Sequence, residues 1–197
     1  MTHEELMYAS PEDIEFFNKC IEGLPKDPGY SCGPHSVRCL REIVNITEPS
    51  SIIEIGLNCG YSSALWLELA EEFSVSVLSI DISERKETLD AGFMLSSRYP
   101  SRFQFLICDS KKVNMLYAGK LERAKASLIF IDGGHEYEDV KSDIQLAINL
   151  GIKWIAFDDW LPQFGPGVQK AIAEHPELEM VKEMGNIVLM LNNDYHE

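Results

Sequence analysis

The chain has 197 residues, with 17 Lys and Arg against 32 Asp and Glu, a formal net charge of −15. That length suits one domain with a proper core, and 45% hydrophobic with 25% charged residues is an ordinary globular mix rather than a disordered one. The acidity disfavours partners whose phosphates are tracked by Lys and Arg, so no nucleic acid and no anionic membrane surface is expected. Five cysteines, Cys20, Cys32, Cys39, Cys59 and Cys108, show no paired spacing and fit a reducing cytoplasm better than a secreted disulfide framework. No apolar run approaches the ~18 residues of a membrane span. The acidic N-terminus, MTHEELMYASPEDIEFF, lacks a signal-peptide core.

Residues 1–49 read as an N-terminal helical cover or lid. Ser10-Pro11 followed by Glu12 and Asp13 is a helix start, with a cap, a proline in the first turn and acids near the dipole. A Gly- and Pro-rich loop, Gly23 to Pro34, precedes a second helix over His35–Asn45, with Val37, Leu40, Ile43 and Val44 on one face. Residues 50–197 then alternate short apolar runs with helical stretches. Strands are predicted at Ser51–Ile55, Val75–Ile80, Phe103–Cys108, Ser127–Ile131 and Trp154–Phe157, and helices at Tyr61–Glu72, Arg85–Arg98 and Tyr137–Asn149, the last stopped by Gly151. This alternation argues for βαβ units and a doubly wound α/β fold, whose parallel strands lack polar alternation because helices cover both faces. After a helix at Val168–Ala173, the strands Leu178–Met184 and Ile187–Asn192 flank the hairpin signal Gly185-Asn186, so the sheet ends antiparallel.

Ligands of open α/β sheets bind beyond the carboxyl ends of the strands. There the first strand runs into Glu54-Ile55-Gly56-Leu57-Asn58-Cys59-Gly60 and then Tyr61-Ser62-Ser63. The glycines permit a tight turn and close approach to a ligand, but the spacing is not the dinucleotide G-x-G-x-x-G pattern. The second strand ends at Asp81, placed to bind ribose hydroxyls, and the third at Asp109-Ser110. Either acid alone reads equally as a helix cap; together with the glycine loop they outline a nucleoside-shaped site. The fourth strand ends in Asp132-Gly133-Gly134-His135 and the fifth in Asp158-Asp159-Trp160. If those strands are neighbours, Asp132, Asp158 and Asp159 converge, and oxygen donors of like charge suit a hard cation such as Mg²⁺, with Ca²⁺ or Mn²⁺ as alternatives. The opposing reading makes Asp158 and Asp159 the start of a loop.

The ordered series resembles the class I S-adenosylmethionine-dependent methyltransferases over Ser50 to Asn192. The resemblance implies a seven-stranded sheet of order 3-2-1-4-5-7-6 and S-adenosylmethionine as cofactor. It puts the methionine end at Glu54, Gly56, Asn58 and Gly60, the ribose at Asp81 and the adenine near Asp109 and Ser110, with Tyr61, Ser62, Ile82 and Asp132 beside them. IDGGHEYEDVKSDI followed by FDDW resembles small-molecule O-methyltransferases of the macrocin-like and catechol-type metal-dependent branches. That implies an Mg²⁺ site at Asp132, Asp158 and Asp159 and a small-molecule hydroxyl acceptor. His135 stands where the catechol type has its lysine base, and Gly134 where the macrocin type often has an acid, so the base is open between His135 and none. His135 reads either as base or as a backbone-bonded loop histidine.

Trp160 either walls the acceptor pocket or packs under the Pro162–Gly167 loop, and Glu136–Asp139 are dipole partners of a helix start. Cys32, His35 and Cys39 lack a fourth ligand for zinc. The N-terminal helices fit a lid, a homodimerisation element or a sheet cover. A metal-independent methyltransferase and a non-catalytic cofactor- or partner-binding module stand as alternatives.

Overall fold

Ser10 caps the first helix as its chemistry dictates. In a computed structural model, which describes residues 9–26 and 32–195 without the side chains of Asn114, Glu122 and Arg123, helix α1 spans Pro11–Cys20. The Ser10 hydroxyl accepts from Asp13 N, and the Asp13 carboxylate accepts from Ser10 N, which satisfies two amides at the helix start. The same carboxylate is buried against helix α2, Ser36–Thr47, where it accepts from Arg38 Nε at 2.5 Å and Arg41 Nη1 at 3.0 Å. Burial opposes ionisation of Asp13, but the hydrogen bonds from Arg38, Ser10 and Arg41 outweigh it and hold its pKa at about 2. Part of the predicted Gly23–Pro34 loop, residues 27–31, and the acidic N-terminal residues 1–8 lie outside the described residues.

Strands β1 (Ser51–Ile55), β2 (Ser76–Asp81), β3 (Phe103–Ile107), β4 (Leu128–Ile131) and β5 (Trp154–Phe157) fall within a residue or so of the predicted runs. Strands β6 (Leu178–Met184) and β7 (Ile187–Asn192) match them. The sheet order is β3-β2-β1-β4-β5-β7-β6, parallel through β5, with β7 antiparallel to both β5 and β6. Helix α3 covers Tyr61–Leu69, α4 Lys86–Arg98, α5 Ser110–Ala124, α6 Tyr137–Asn149 and α7 Pro166–Ala173.

Two expectations are corrected. The helix predicted over Tyr61–Glu72 stops at Leu69 and continues as one 3₁₀ turn, Glu71–Phe73. Val75 N takes the Ala70 carbonyl as the chain turns back toward β2. Helix α5 was not predicted. Its apolar pattern is thin and Tyr117 leaves helical geometry at φ −135°, ψ 23°, which breaks the 3.6-residue period.

Alternate strand residues feed two separate cores. Ile52, Val77, Leu128, Phe130, Ala156 and Leu189 pack with α1, α2 and α3 on one face. Ile53, Leu78, Ile129, Ile155, Phe157 and Val188 pack with α6 and α7 on the other. Burial of each such side chain is worth roughly 1.5–3 kcal/mol, and having both faces covered is why polar alternation was missing. Phe17, Val37, Leu40 and Ile43 belong to the first core, so the described N-terminal helices cover the sheet. Among the described residues no helix is long and apolar enough to cross a membrane. Among the described residues no cysteine is in a disulfide.

Candidate active site

The turn after β1 is built around Gly56. Its φ is +101°, and a Cβ there would lie 2.0 Å from the Asp132 carbonyl oxygen, so only glycine lets the β1 and β4 loops touch. Asp81, at the end of β2, holds this turn: one carboxylate oxygen accepts from the amides of Leu57 and Asn58, both at 2.8 Å, and the other from Ser83 N at 2.7 Å. Gly60 caps α3 at φ +79° and packs against the Leu95 side chain. Glu54 points the other way, toward α3. It is fully buried; one oxygen accepts from the Ser63 and Ser79 hydroxyls, and the second has no partner among the described residues. Burial pushes its pKa up to about 7 against the hydrogen bonds of the neighbouring serines, Ser63, Ser79 and Ser62.

The β4 and β5 loops bring the acids together. Burial, followed by the charges of Asp158, Glu54 and Asp159, raises the Asp132 pKa well above the usual carboxylate range. Burial and then Asp159 raise that of Asp158. Asp159 adopts the left-handed region at φ +54° and turns its carboxylate to His135, with Oδ2 3.0 Å from Nδ1. Asn186, in the β6–β7 turn, donates to Asp159 Oδ1 at 2.6 Å and reaches Asp158 Oδ1 at 3.4 Å. Two further glycines weld these loops: a Cβ on Gly165 would lie 2.3 Å from the Asp159 carbonyl, and one on Gly167 2.5 Å from that of His135. The His135 carbonyl accepts from Gly167 N at 3.2 Å.

A cleft of about 1100 Å³ opens between these loops. Gly56, Asn58, Tyr61, Ser62, Asp81 and Ile82 line it on one side, and Asp109 and Ser110 continue that wall. Asp132, His135, Asp158 and Asp159 line the far end. Glu54 and Gly60 do not line it; they brace the glycine turn from behind. Asp109 lines the cleft and also caps α5, accepting from Lys111 N at 3.0 Å. Trp160 packs on the second core instead of the cleft.

The walls also hold residues to which the sequence reading gave no cofactor or catalytic role. His35, Ser36 and Cys39 at the start of α2 line the cleft, as do Gln163 and Phe164. Asp143 on α6 lies at the Asp109–Ser110 end. The signal for Asp143 was present: a carboxylate spaced three residues after Val140 and four before Ala147, on the buried face of its helix. Asn186 carried none, because only the β5–β7 pairing brings that turn beside Asp158. Among the described residues no group of three His, Cys, Asp or Glu is arranged as a metal-ligand set. The donor chemistry of Asp132 and Asp158, two close carboxylates that resist joint ionisation, nevertheless suits a hard cation. Asp159 is committed to His135 and Asn186.

A family model described as a methyltransferase domain matches residues 53–160, from within β1 to Trp160. The chain belongs to that methyltransferase family. Its sheet order and antiparallel last hairpin are those of the α/β methyltransferase fold, which solved structures share. An SAH-bound methyltransferase from Podospora anserina superposes with a TM-score of 0.68 at 16% identity, covering 98% of this chain and 92% of that one. An O-methyltransferase from Bacillus cereus in complex with SAH gives 0.61 at 18% identity, covering 95% and 94%. The MycE methyltransferase of the mycinamycin biosynthetic pathway, solved with Mg, SAH and mycinamycin VI, gives 0.60 at 15% identity, covering 95% of this chain and 57% of that one. A search of curated proteins found no match.

Proposed function

We propose that this methyltransferase moves the methyl group of S-adenosylmethionine to a hydroxyl of a small molecule. The observation that carries the reading is a single cleft with a glycine turn held by Asp81 at one wall and the His135–Asp159 pair at its far end. SAH in the Podospora and Bacillus proteins supports the cofactor. In this reading Gly56, Asn58, Tyr61 and Ser62 enclose the methionine end, Asp81 and Ile82 the ribose, and Asp109 and Ser110 the purine. Asp132 stands between cofactor and acceptor.

A neutral His135 that donates its Nδ1 proton to Asp159 keeps the Nε2 lone pair free for the acceptor hydroxyl. As the acceptor oxygen forms its bond to the methyl carbon, the carbon–sulfur bond breaks and the hydroxyl proton passes to Nε2. The products are a methyl ether and S-adenosylhomocysteine, and the Asp159 carboxylate stabilises the imidazolium left behind. Holding both reactants in line contributes several kcal/mol, of the order available to oriented intramolecular reactions, about 7–11 kcal/mol at most.

Asp132, Asp158 and Asp159 would hold Mg²⁺ in the metal-assisted form of this reading. The mutual repulsion of Asp132 and Asp158 supports it, as does the Mg in the MycE complex. A bound ion supplies a lower pKa to the acceptor hydroxyl. The metal-independent form is favoured by one observation, the engagement of Asp159 with His135 and Asn186. Calorimetry with S-adenosylhomocysteine and methyl transfer to catechols, sugars and polyketide glycosides, with and without EDTA, test both forms. Binding and EDTA-sensitive turnover are expected, with Asp158→Asn lowering kcat at least tenfold. Undiminished turnover in EDTA removes the metal, and failure to bind S-adenosylhomocysteine overturns the whole reading.

A further inference from the structure

The turn between β6 and β7 carries a side chain that its own hairpin does not require. Gly185 and Asn186 make the turn, and of the two only Gly185 has a positive φ, +63°. Gly-Asn, Gly-Asp and Gly-Ser all serve such a turn, so the amide of Asn186 is explained by what it touches. Its Oδ1 accepts from Leu161 N at 3.1 Å, and its backbone carbonyl accepts from Trp160 N at 2.8 Å, which ties the turn to the loop after β5. An amide whose oxygen is engaged in this way turns its NH₂ to the opposite side, where it can only donate. There Nδ2 meets two carboxylates, at 2.6 Å from Asp159 Oδ1 and 3.4 Å from Asp158 Oδ1. Asp159 needs such a restraint. It stands at φ +54°, a region that a non-glycine residue occupies at a cost. Its other oxygen lies 3.0 Å from His135 Nδ1. One carboxylate is thus held at both oxygens, by the hairpin on one side and by the histidine on the other.

We propose that Asn186 is a positioning residue: it holds the Asp159 carboxylate against His135 Nδ1 and so fixes the ring in the tautomer protonated at Nδ1. This rests on the reading of His135 as base, which requires the lone pair at Nε2. The hydrogen bond made at one ring nitrogen decides which nitrogen carries the proton. A neutral histidine without that partner favours the opposite form, protonated at Nε2.

The test reads the ring directly. Proton–nitrogen correlation spectra of the full chain with isotopically labelled histidine, in metal-free buffer at about pH 8, separate the two tautomers of a neutral ring. His135→Gln identifies the His135 signals by their loss. The wild type should show His135 protonated at Nδ1. Asn186→Asp keeps the turn and an acceptor for Leu161 N but replaces the donor with a repelling oxygen. Asn186→Ser keeps the turn and withdraws the donor from Asp159. In both variants the His135 signals should move to the Nε2-protonated form or to a mixture. Affinity for S-adenosylhomocysteine, measured by calorimetry, should stay within threefold of the wild type. On any acceptor of the panel that the wild type turns over, kcat should fall at least tenfold with KM unchanged, as befits support of a general base. A merely structural Asn186 would weaken S-adenosylhomocysteine binding and leave the tautomer as in the wild type, and that result overturns the proposal. A wild-type ring protonated at Nε2 overturns it without any variant, should neither variant fold. Full turnover by His135→Gln defeats the base reading instead, whatever the tautomer.

Discussion

Glu54 is a carboxylate with no cation among its hydrogen-bond partners: one oxygen accepts from the Ser63 and Ser79 hydroxyls. An ordinary glutamate in the unfolded chain titrates near 4.5, whereas burial pushes this one up to about 7. Below pH 4.5 both states are protonated and nothing is lost. Between pH 4.5 and about 7 the unfolded chain releases a proton that the folded chain retains, so stability falls as pH rises, by about 3 kcal/mol, and then levels off. Glu54→Gln removes this dependence. Scanning calorimetry of the ligand-free protein should show the variant melting above the wild type at pH 8 and level with it at pH 4.5. Parallel pH profiles would refute the argument. The same residue shows how a motif reading misplaces an atom. Its position before Gly56 suggested ligand contact, but strand parity puts residue 54 on the face of Ile52, toward α3, and away from the cleft.

Among elements, α1 matters through one side chain. Asp13 ties α1 to α2, and the first turn of α2 carries His35 at its cap and Ser36 and Cys39 into the cleft wall. Asp13→Ala deletes half of the capping box and leaves Arg38 and Arg41 without that carboxylate. Loss of about 2–4 kcal/mol is expected, read as a lower urea midpoint. The wild-type contribution of this group is fully present above the unfolded value of 3.8 and disappears as pH falls through about 2, so the gap between the two proteins should close in strong acid. A constant gap down to pH 2 would contradict the pairing.

Element boundaries were legible where hydrophobic runs were short and dense, as in Ser51–Ile55, Trp154–Phe157 and the Leu178–Asn192 hairpin. Helix α5 was illegible because Tyr117 interrupts its period and Val113 and Leu121 are its buried apolar anchors. The acids at strand ends could be read because a parallel sheet sends every such end to one edge. The cleft wall made by α2, by Gln163 and Phe164, and by Asn186 depends on packing between segments distant in sequence, for which no local pattern exists.

For the whole molecule, the charge of −15 acquires a location. Of the Lys and Arg side chains described, only Lys111 lines the cleft, and Asp139 neutralises it. Arg38, Arg41, Lys141 and Lys182 are paired elsewhere with Asp13, Glu174 and Glu42. The cleft therefore presents a negative potential to an incoming acceptor, which slows and weakens anions. Phosphorylated or carboxylated acceptors should show kcat/KM at least tenfold below uncharged analogues of the same ring and hydroxyl. Equal values at low salt would refute this.

The welds at Gly56, Gly165 and Gly167 carry a consequence for how such a protein diversifies. Each places backbone against backbone, where the smallest added side chain already collides. Mutation has little freedom to retune the reacting end, so inherited or laboratory change in acceptor choice is channelled to positions that bear their own side chains into the mouth, His35, Cys39, Gln163 and Phe164. A library drawn over those four should yield new acceptors, while one drawn over the glycines yields mostly unfolded chains.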